Sequence, residues 1–260
     1  MSASLENQPA YILHRRPYKE SSYILDLFSL NFGRVSVVAK GLLKSKPYKS
    51  AQLQVFQPLV LSWSGRSELK TLINVDVPSA AFALKGKFLY CAYYLNELLL
   101  NLSAESEANP ILFSAYSEAL QSLSDKLDVE PNLRRFESRL LVQLGLSPDY
   151  GSDSLSHEIL DDRRYYLSQG GAFVQDLSFD QDRSFSRSAV EAGFIGGDTI
   201  KLLVSDWLNF GAIQDEGQKR RILLEAKYLM RGLIDQALQG KPLLSRDLFK
   251  QMQRSKVRNI

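Results

Sequence analysis

Residues 68–77 read ELKTLINVDV, in which apolar and polar side chains alternate. This two-residue period predicts a β-strand with one buried face. The residues on one side of the strand are Leu69, Thr71, Ile73 and Val75. Four further runs rich in Val, Ile, Leu and aromatic residues precede it, at Ala10–Arg16, Tyr23–Leu30, Arg34–Lys40 and Val55–Ser64. Five short strands in about 80 residues predict a small closed barrel, because closure leaves no exposed strand edge.

The spacing of apolar residues becomes helical after residue 80. Phe88–Leu102 is apolar on almost all sides, which predicts a helix at the centre of a helical domain. Asn109 is suited to cap a second helix that begins at Pro110, and Asn132 is suited to begin a third. The further predicted helices are Ser186–Ala192, Asp198–Phe210, Gln218–Leu238 and a short last helix capped by Ser245.

Residues 147–182 interrupt this helical pattern with many Asp, Ser and Gly residues. Two short runs, Tyr165–Leu167 and Ala172–Val174, flank the sequence SQGG, which predicts a β-hairpin inserted between helices. The predicted fold class is therefore α+β. It comprises a five-stranded barrel in residues 1–80 and an all-α domain in residues 81–260 that contains the inserted hairpin.

The charges are unevenly distributed, although the net charge is only +3. Residues 1–80 hold ten Lys/Arg and five Asp/Glu, residues 81–240 hold 16 and 23, and residues 241–260 hold six and one. No acidic residue lies between Asp26 and Glu68. A cationic segment of this kind attracts polyanions over a long range. The alternative is a solvated loop that only keeps the chain soluble.

The sequence lacks the motifs of common catalytic and metal sites. Its two histidines, His14 and His157, lie in different predicted modules, and its single cysteine, Cys91, lies in the apolar helix. One cysteine excludes an internal disulfide and a cysteine-built zinc or iron–sulfur site. No nucleophile elbow, phosphate-binding loop, dinucleotide motif or zincin motif occurs. We therefore expect a non-enzymatic protein without cofactor or metal, and a cytoplasmic one, because no membrane or signal segment is recognised.

The basic part of the barrel has the residue types that a surface for DNA needs. Cations neutralise phosphates, and an aromatic ring that stacks on a base contributes roughly 1–3 kcal/mol. Five-stranded barrels of the oligonucleotide-binding (OB) kind hold single strands in this way. The candidate DNA-binding residues are Arg34, Lys40, Lys44, Lys46, Tyr48, Lys49, Arg66 and Lys70.

Short motifs spread along the chain match one known family. They are AYILHRRP at residues 10–17, GRV at 33–35, VAKG at 38–41, FQPL at 56–59, ELKTL at 68–72, YLNEL at 94–98, LRRFE at 133–137 and GKPLLSRDL at 240–248. Each motif alone is weak, but together they span nearly the whole chain in the family's order. The sequence thus resembles the bacterial DNA repair and recombination protein RecO family.

The resemblance implies an N-terminal OB-fold, a helical domain and a role as a cytoplasmic, nucleoid-associated recombination mediator. Such a protein binds single- and double-stranded DNA and anneals complementary strands. With RecR it helps RecA to displace the single-stranded-DNA-binding protein, SSB. The alternatives left open are a protein adaptor without a nucleic-acid role, a nucleic-acid-processing enzyme with a scattered metal site, and an RNA-binding barrel.

In the RecO family the helical domain can bind the acidic, Phe-ended tail of SSB. The basic residues that match by resemblance are Arg134 and Arg135, and Lys227, Arg231, Lys241 and Arg246 are added from charge alone. Such a tail needs arginine donors for its carboxylates and an apolar slot for its phenylalanine. The alternative for Arg134 and Arg135 is pairing with Glu130, Glu137 or Ser138 on the same helix.

The sequence departs from the family in the inserted hairpin. Many RecO-like chains carry two Cys-x-x-Cys pairs there and bind structural zinc, whereas residues 147–182 contain no cysteine. We therefore expect no zinc. The side chains expected to hold the hairpin by packing are Tyr165, Tyr166, Phe173 and Phe179.

Without a metal, the hairpin is predicted to be one of the more mobile regions of the chain. We expect its amide hydrogens to exchange faster than those of the barrel strands, because few contacts oppose local opening. Hydrogen–deuterium exchange on the full chain measures this directly, and strong protection of the hairpin amides would show that the prediction is wrong.

Overall fold

A computed structural model describes residues 4–41, 52–178 and 186–258. The described chain divides into two compact units, one formed by Met1–Val129 with Pro242–Ile260 and the other by Glu130–Lys241. The change from strands to helices occurs near residue 80, as the sequence predicts. The predicted domain boundaries, 1–80 and 81–260, concern independent folding and stay predictions.

Five strands form a closed barrel in the first unit. They are β1 Ser4–Tyr18, β2 Ser22–Ser29, β3 Gly33–Ala39, β4 Leu59–Ser64 and β5 Leu69–Asp76. Their order around the barrel is β1-β2-β3-β5-β4, and β1 pairs with β4 to close it. Only the β3–β5 pair is parallel among these neighbours. The predicted five-stranded OB barrel is thus confirmed.

The barrel interior is filled by the inward-facing apolar side chains of all five strands. Ile12, Leu25, Val37 and Leu61 are fully buried together with Trp63. Burial of a large apolar side chain stabilises the fold by about 1.5–3 kcal/mol. The alternation of apolar residues along each strand is therefore the main reason why this part of the chain closes into a barrel.

The residues of β5 that face the barrel core are not the ones that the alternation predicts. Ile73 is 58% exposed, whereas Leu72 packs against the barrel core. The β4 partners change from Ser62↔Asn74 to Trp63↔Leu72, so that Ile73 is an extra residue on β5. A bulge of this kind shifts the phase of the alternation by one residue. The expectation that Leu69, Thr71 and Ile73 share one side of the strand with Val75 is therefore wrong.

Seven helices are described in the two units. They are α1 Lys87–Leu102, α2 Pro110–Ser124, α3 Val129–Gln143, α4 Arg187–Glu191, α5 Gly197–Val204, α6 Glu216–Ala237 and α7 Leu244–Arg258, with a 3₁₀ turn at Phe210–Ala212. Within the described residues, no helix combines the length and the apolar composition that crossing a membrane requires.

The start residues of three helices can be compared with the starts predicted from the sequence. The Asn109 side chain accepts a hydrogen bond from the amide of Leu112 at 2.9 Å, so the predicted cap of α2 is confirmed. Asn132 does not begin α3, which starts at Val129 because Pro131 is tolerated in a first helical turn. Ser245 does not cap α7, which already begins at Leu244.

Helices α1 and α2 pack on the outer side of β1 and β2. The buried side chain of Asn96 in α1 donates a hydrogen bond to the carbonyl oxygen of Leu13 at 2.8 Å. Tyr116 in α2 donates to the Asn96 oxygen at 2.5 Å. The rings of Tyr11 and Phe28 also pack against α2, with centroid distances between 5.1 and 6.2 Å. The barrel and these helices therefore form a single compact unit.

The second unit contains the predicted hairpin, formed by β6 Arg164–Leu167 and β7 Phe173–Gln175. A third strand, β8 Phe194–Gly196, joins it in the order β7-β6-β8. Sequence periodicity missed β8, because three residues are too few to show a period.

Packing of the hairpin agrees with the prediction at two of four residues. Tyr165 and Phe173 are fully buried, whereas Tyr166 is 40% exposed and contacts only the edge of the Phe194 ring among the described aromatic pairs. Tyr166 is therefore only partly packed, against Phe194 of β8, because it lies on the more exposed face of the sheet. Phe179 lies outside the described residues.

A buried polar network joins β8, α5 and α6 in the second unit. The Glu225 carboxylate accepts hydrogen bonds from the Gly196 amide at 3.0 Å and from the Thr199 hydroxyl, and it is ion-paired with Arg221. Burial raises the pKa of the Glu225 carboxyl, and the charge of Arg221 opposes that rise. Because a buried carboxylate without partners is very costly, this network fixes how the three elements meet.

The turn between β2 and β3 touches the loop that follows α1. Gly33 has a φ of +59°, and a Cβ at this position would lie only 1.9 Å from the backbone oxygen of Glu107. The amide of Ser106 in the same loop donates to the carbonyl oxygen of Arg34 at 2.9 Å. Gly33 is therefore required both for its positive φ and for the close approach of two backbones.

We expect Gly33→Ala to lower the free energy of unfolding by more than the cost of placing an alanine at a positive φ. The matched control is Gly145→Ala, where φ is +67° and no described atom lies within 4 Å of the added Cβ. The control should lower the free energy of unfolding by about 1–2 kcal/mol, and Gly33→Ala should lower it by about 1–3 kcal/mol more, because a backbone must move. Urea unfolding followed by circular dichroism compares them, and equal losses would show that the Glu107 contact is unimportant.

Candidate nucleic-acid interface

One end of the barrel is both basic and aromatic. Strands β1 and β2 meet in a turn after Tyr18, which pairs with Ser22. Strand β3 ends at Ala39, which pairs with Tyr23, so Lys40 lies beside that turn. We call this region the basic end; its residues are Arg15, Arg16, Tyr18, Lys19, Tyr23 and Lys40.

Two cation–aromatic contacts organise the basic end. The guanidinium carbon of Arg15 lies 5.0 Å from the centroid of the Tyr23 ring. Lys19 Nζ lies 5.3 Å from the centroid of the Tyr18 ring. Such contacts contribute about 0.5–1 kcal/mol at exposed sites, so they hold ring faces and positive charges together. The exposed members of the basic end are Arg16, Lys19 and Lys40.

The lysine-rich segment is attached to the chain at the basic end. It follows Gly41, the residue after Lys40, and the described chain resumes at Gln52. The next residue, Leu53, is buried in the barrel core, and its carbonyl oxygen accepts a hydrogen bond from Arg15 Nη1 at 3.2 Å. The predicted DNA-binding residues that lie in this segment, outside the described residues, are Lys44, Lys46, Tyr48 and Lys49.

Few carboxylates oppose the positive charge of the basic end. Glu20 lies exposed in the β1–β2 turn. Asp26, further along β2, accepts a hydrogen bond from the Ser36 hydroxyl at 2.8 Å and lies 3.5 Å from Nδ1 of His14. Four cations of the described chain thus share this end with one exposed carboxylate. The local potential is therefore favourable to a polyanion.

Arg34 lies toward the opposite end of the barrel from Lys40. The two residues are six positions apart along β3, which corresponds to about 20 Å. Arg34 Nε donates to the carbonyl oxygen of Ser103 at 2.9 Å, and Nη2 lies 3.4 Å from a carboxylate oxygen of Glu105. In this geometry the guanidinium joins β3 to the loop after α1.

Arg66 and Lys70 lie outside the basic end. Arg66 is exposed in the turn between β4 and β5. Lys70 Nζ donates to the carbonyl oxygen of Ser67 at 2.8 Å. Strand β5 starts beside the middle of β3, where Ser36 pairs with Leu69, and Lys70 pairs with Val37, three positions from both Arg34 and Lys40. The predicted set is therefore spread along the barrel and is not confined to the basic end.

Sequence reasoning missed most of the basic end. The stretch without carboxylates begins only after Asp26, so it does not include Arg15, Arg16 and Lys19. The pairing of Tyr23 with Ala39 brings this earlier segment next to Lys40. The sequence feature that indicates this region is the run HRRPYK at residues 14–19, which contains three cations and a tyrosine at the end of a predicted strand.

The candidates for a partner's acidic tail are not one cluster. Arg134 is only 8% exposed, and its Nη2 lies 2.8 Å from the buried carboxylate of Glu137. This ion pair within α3 is the alternative that the sequence left open for Arg134. Lys227 in α6 lies 3.9 Å from Glu130, and Arg231 is exposed one helical turn later.

The last two tail candidates belong to different units. Lys241 is exposed and ends the second unit. Arg246 belongs to the first unit, where its guanidinium carbon lies 5.8 Å from the centroid of the Tyr94 ring. The set of tail residues therefore does not belong to a single compact unit.

Arg135 lies beside a strained loop that follows α5. Asp206 and Trp207 have φ values of +50° and +64°, which non-glycine residues rarely adopt. Arg139 holds the Asp206 carboxylate with contacts of 3.1 and 2.6 Å, and Arg135 Nε donates to the Asp206 carbonyl oxygen at 3.1 Å. This loop is why α5 ends at Val204 and why a helix predicted to continue to Phe210 is wrong.

Part of this loop remains accessible. The Arg135 side chain is 40% exposed. Leu208, two residues after Asp206, is 76% exposed. The loop thus has an exposed apolar side chain two residues from the aspartate that Arg135 contacts.

Comparison with known proteins agrees with this architecture. Family models described as "Recombination protein O N terminal" and "Recombination protein O C terminal" match residues 1–80 and 85–247. The DNA repair protein RecO of Marinobacter nauticus is 36% identical over 255 residues, which cover 96% of each chain. That of Alteromonas mediterranea is 39% identical over 241 residues, or 92% of this chain and 95% of the relative. The chain belongs to the RecO family.

Membership of the RecO family confirms the resemblance drawn from the short motifs. A further RecO relative, from Nitrosococcus oceani, is 37% identical over 247 residues, or 95% of this chain and 94% of that protein. The relatives are DNA repair proteins by name, and the barrel has the OB arrangement expected of the N-terminal region. Within residues 4–41, 52–178 and 186–258, no three His, Cys, Asp or Glu side chains are grouped as a metal ion requires.

Proposed function

We propose that this chain is a non-enzymatic recombination mediator that binds single- and double-stranded DNA through the basic end of its barrel. The main support is the grouping of Arg15, Arg16, Lys19 and Lys40 at one end of the barrel, where Arg15 and Lys19 each lie over a tyrosine ring. Cations provide sequence-independent attraction to phosphates, and ring faces accept unpaired bases. The lysines at 44, 46 and 49 are further candidates for the same function, because their segment follows Lys40 and Gly41 in the sequence.

Strand annealing follows from the same chemistry. Two complementary strands repel each other through their phosphates, and a cationic surface lowers that repulsion. Contacts to the phosphates leave base edges free to pair. A surface without base-specific contacts is therefore suited to bring strands together. This step requires no catalytic group in the protein.

We also propose that the second unit binds the acidic tail of SSB and that, with RecR, the protein helps RecA to replace SSB on single-stranded DNA. The support is the family relation together with Arg135, which is 40% exposed and contacts Asp206, and the exposed Leu208 two residues further along that loop. An arginine can bind a carboxylate of the tail, and an apolar side chain can contact its phenylalanine. Lys227 and Arg231 on α6 are further candidates, whereas Arg134 is already engaged by Glu137.

The principal alternative is an adaptor that binds acidic partner tails and has no direct role with nucleic acid. The observation that favours it is the position of Arg34, Arg66 and Lys70, which lie away from the basic end. An adaptor shows no affinity for oligonucleotides at physiological salt. A mediator shows affinity that falls steeply as salt increases. A salt titration of oligonucleotide binding therefore separates the two functions.

The basic end is tested by Arg16→Gln, Lys19→Gln and Lys40→Gln in one variant of the full chain. We expect weaker binding of a single-stranded oligonucleotide and a salt dependence flattened by about 2 in the log–log slope, roughly 0.7 for each lost phosphate contact. The matched control replaces three exposed cations elsewhere, as Lys85→Gln, Lys126→Gln and Arg220→Gln. Fluorescence anisotropy measures both, and equal behaviour of variant and control would reject this surface.

The tail site is tested with a fluorescent acidic peptide that ends in phenylalanine. We expect Arg135→Ala to weaken its binding about tenfold, because a charge-assisted hydrogen bond contributes roughly 1.5–3 kcal/mol. Arg187→Ala, an exposed arginine on α4, is the control and should bind normally. Unchanged affinity of Arg135→Ala would place the tail elsewhere. Thermal unfolding must be compared as well, because Arg135 also contacts Asp206.

A further inference from the structure

A cleft in the second unit is lined by apolar side chains. Its volume is about 600 Å³, and clefts that bind ligands typically measure about 300–1,000 Å³. Four of its lining residues form a buried apolar floor, namely Tyr150, Ile159, Leu202 and Ile222. They come from the segment between α3 and β6, from α5 and from α6, all within one compact unit. The cleft therefore provides an apolar surface that a side chain of a partner can cover.

The loop that follows α5 forms one wall of the cleft. Val204 and Asn209 line the cleft on either side of Asp206 and Trp207, the two residues with a positive φ. Val204 is 58% exposed although it is apolar. Residues with strained backbones persist only where their surroundings hold them, and here Arg139 holds the Asp206 carboxylate. The wall is therefore formed before a partner binds, which lowers the entropy lost on binding.

The rim of the cleft is acidic. Glu158 and Asp161 line it, and their side chains are 76% and 68% exposed. They share one cation, because Lys201 Nζ lies 3.4 Å from Glu158 and 2.9 Å from Asp161. Asp149, at the start of the same segment, is exposed, and a hydrogen bond from Ser152 lowers the pKa of its carboxyl. Three carboxylates thus accompany a single lysine.

The charge of the rim indicates the charge of its occupant. Residues 149–162 contain five Asp/Glu and neither Lys nor Arg. Asp198, which also lines the cleft, is ion-paired with Arg221 and so leaves the balance unchanged. An acidic rim repels DNA and acidic peptides, whereas it attracts cations. The occupant that complements this cleft is therefore both apolar and basic.

We propose that this cleft binds a segment of a partner protein in which a large apolar side chain is flanked by Lys or Arg residues. The apolar side chain contacts Val204 and the floor of the cleft, and the cations pair with Glu158 and Asp161. An apolar anchor provides affinity, and complementary charge selects the partner. The inference does not depend on the proposed DNA binding of the barrel. It concerns a ligand whose charge is opposite to that of the SSB tail.

The test measures binding of a fluorescent peptide of leucine, lysine and serine to the full chain by fluorescence anisotropy. Glu158→Gln with Asp161→Asn should weaken binding about tenfold and flatten its salt dependence, because each exposed ion pair changes an affinity by up to about fivefold. Val204→Ser should weaken binding about fivefold without changing the salt dependence, because only apolar contact is lost. The matched control, Glu130→Gln with Glu191→Gln, also removes two exposed, ion-paired carboxylates. Thermal unfolding confirms that each variant is folded.

Weaker binding by the rim variant and by Val204→Ser, with normal binding by the control, supports the site. The inference is overturned if the unmodified chain does not bind the peptide or if both variants bind like the control. A loss in only one variant also overturns it, because charge alone indicates unspecific attraction and apolar contact alone does not select a cation. The acidic peptide that ends in phenylalanine is the second probe. If Val204→Ser weakens binding of that peptide but not of the basic one, the cleft belongs to the acidic tail and the inference fails.

Discussion

The pairing of β1 with two different strands is the interaction on which the rest of the molecule depends. This strand is 15 residues long, and its first part pairs with β4 while its later part pairs with β2. It therefore closes the barrel and leaves no open edge. The same strand receives α1 through the hydrogen bond between Asn96 and Leu13. Its last residues carry Arg15 and Arg16 to the basic end, so closure and charge placement have a common origin.

Much of the fold could be predicted from the sequence because the strands and helices have strong periods of their own. The five strands, the cap at Asn109 and the inserted hairpin all depend on local patterns of apolar and turn residues. The bulge at Ile73 could not be predicted, because an extra residue is defined by the neighbouring strand and not by β5 itself. The loop at Asp206 was missed for a similar reason, since arginines of α3 hold it.

The candidate site was predicted less completely than the fold. The absence of acidic residues after Asp26 indicates a cationic barrel surface but does not indicate which end of the barrel carries the charge. That information depends on strand register, which brings Tyr23 beside Ala39 and so joins Arg16 and Lys19 to Lys40. Arg134 shows the opposite case, in which a matching motif residue is buried against Glu137. Sequence spacing alone does not distinguish an exposed cation from one that is already paired.

We propose that the basic end, and not the whole barrel surface, contacts DNA. Chemical acetylation of lysines, compared by mass spectrometry in the free chain and in the chain bound to a single-stranded oligonucleotide, tests this without any substitution. We predict that DNA protects Lys19 and Lys40, whereas Lys70 and Lys126 react equally in both states. Protection of Lys70 with full reactivity of Lys19 and Lys40 would contradict it.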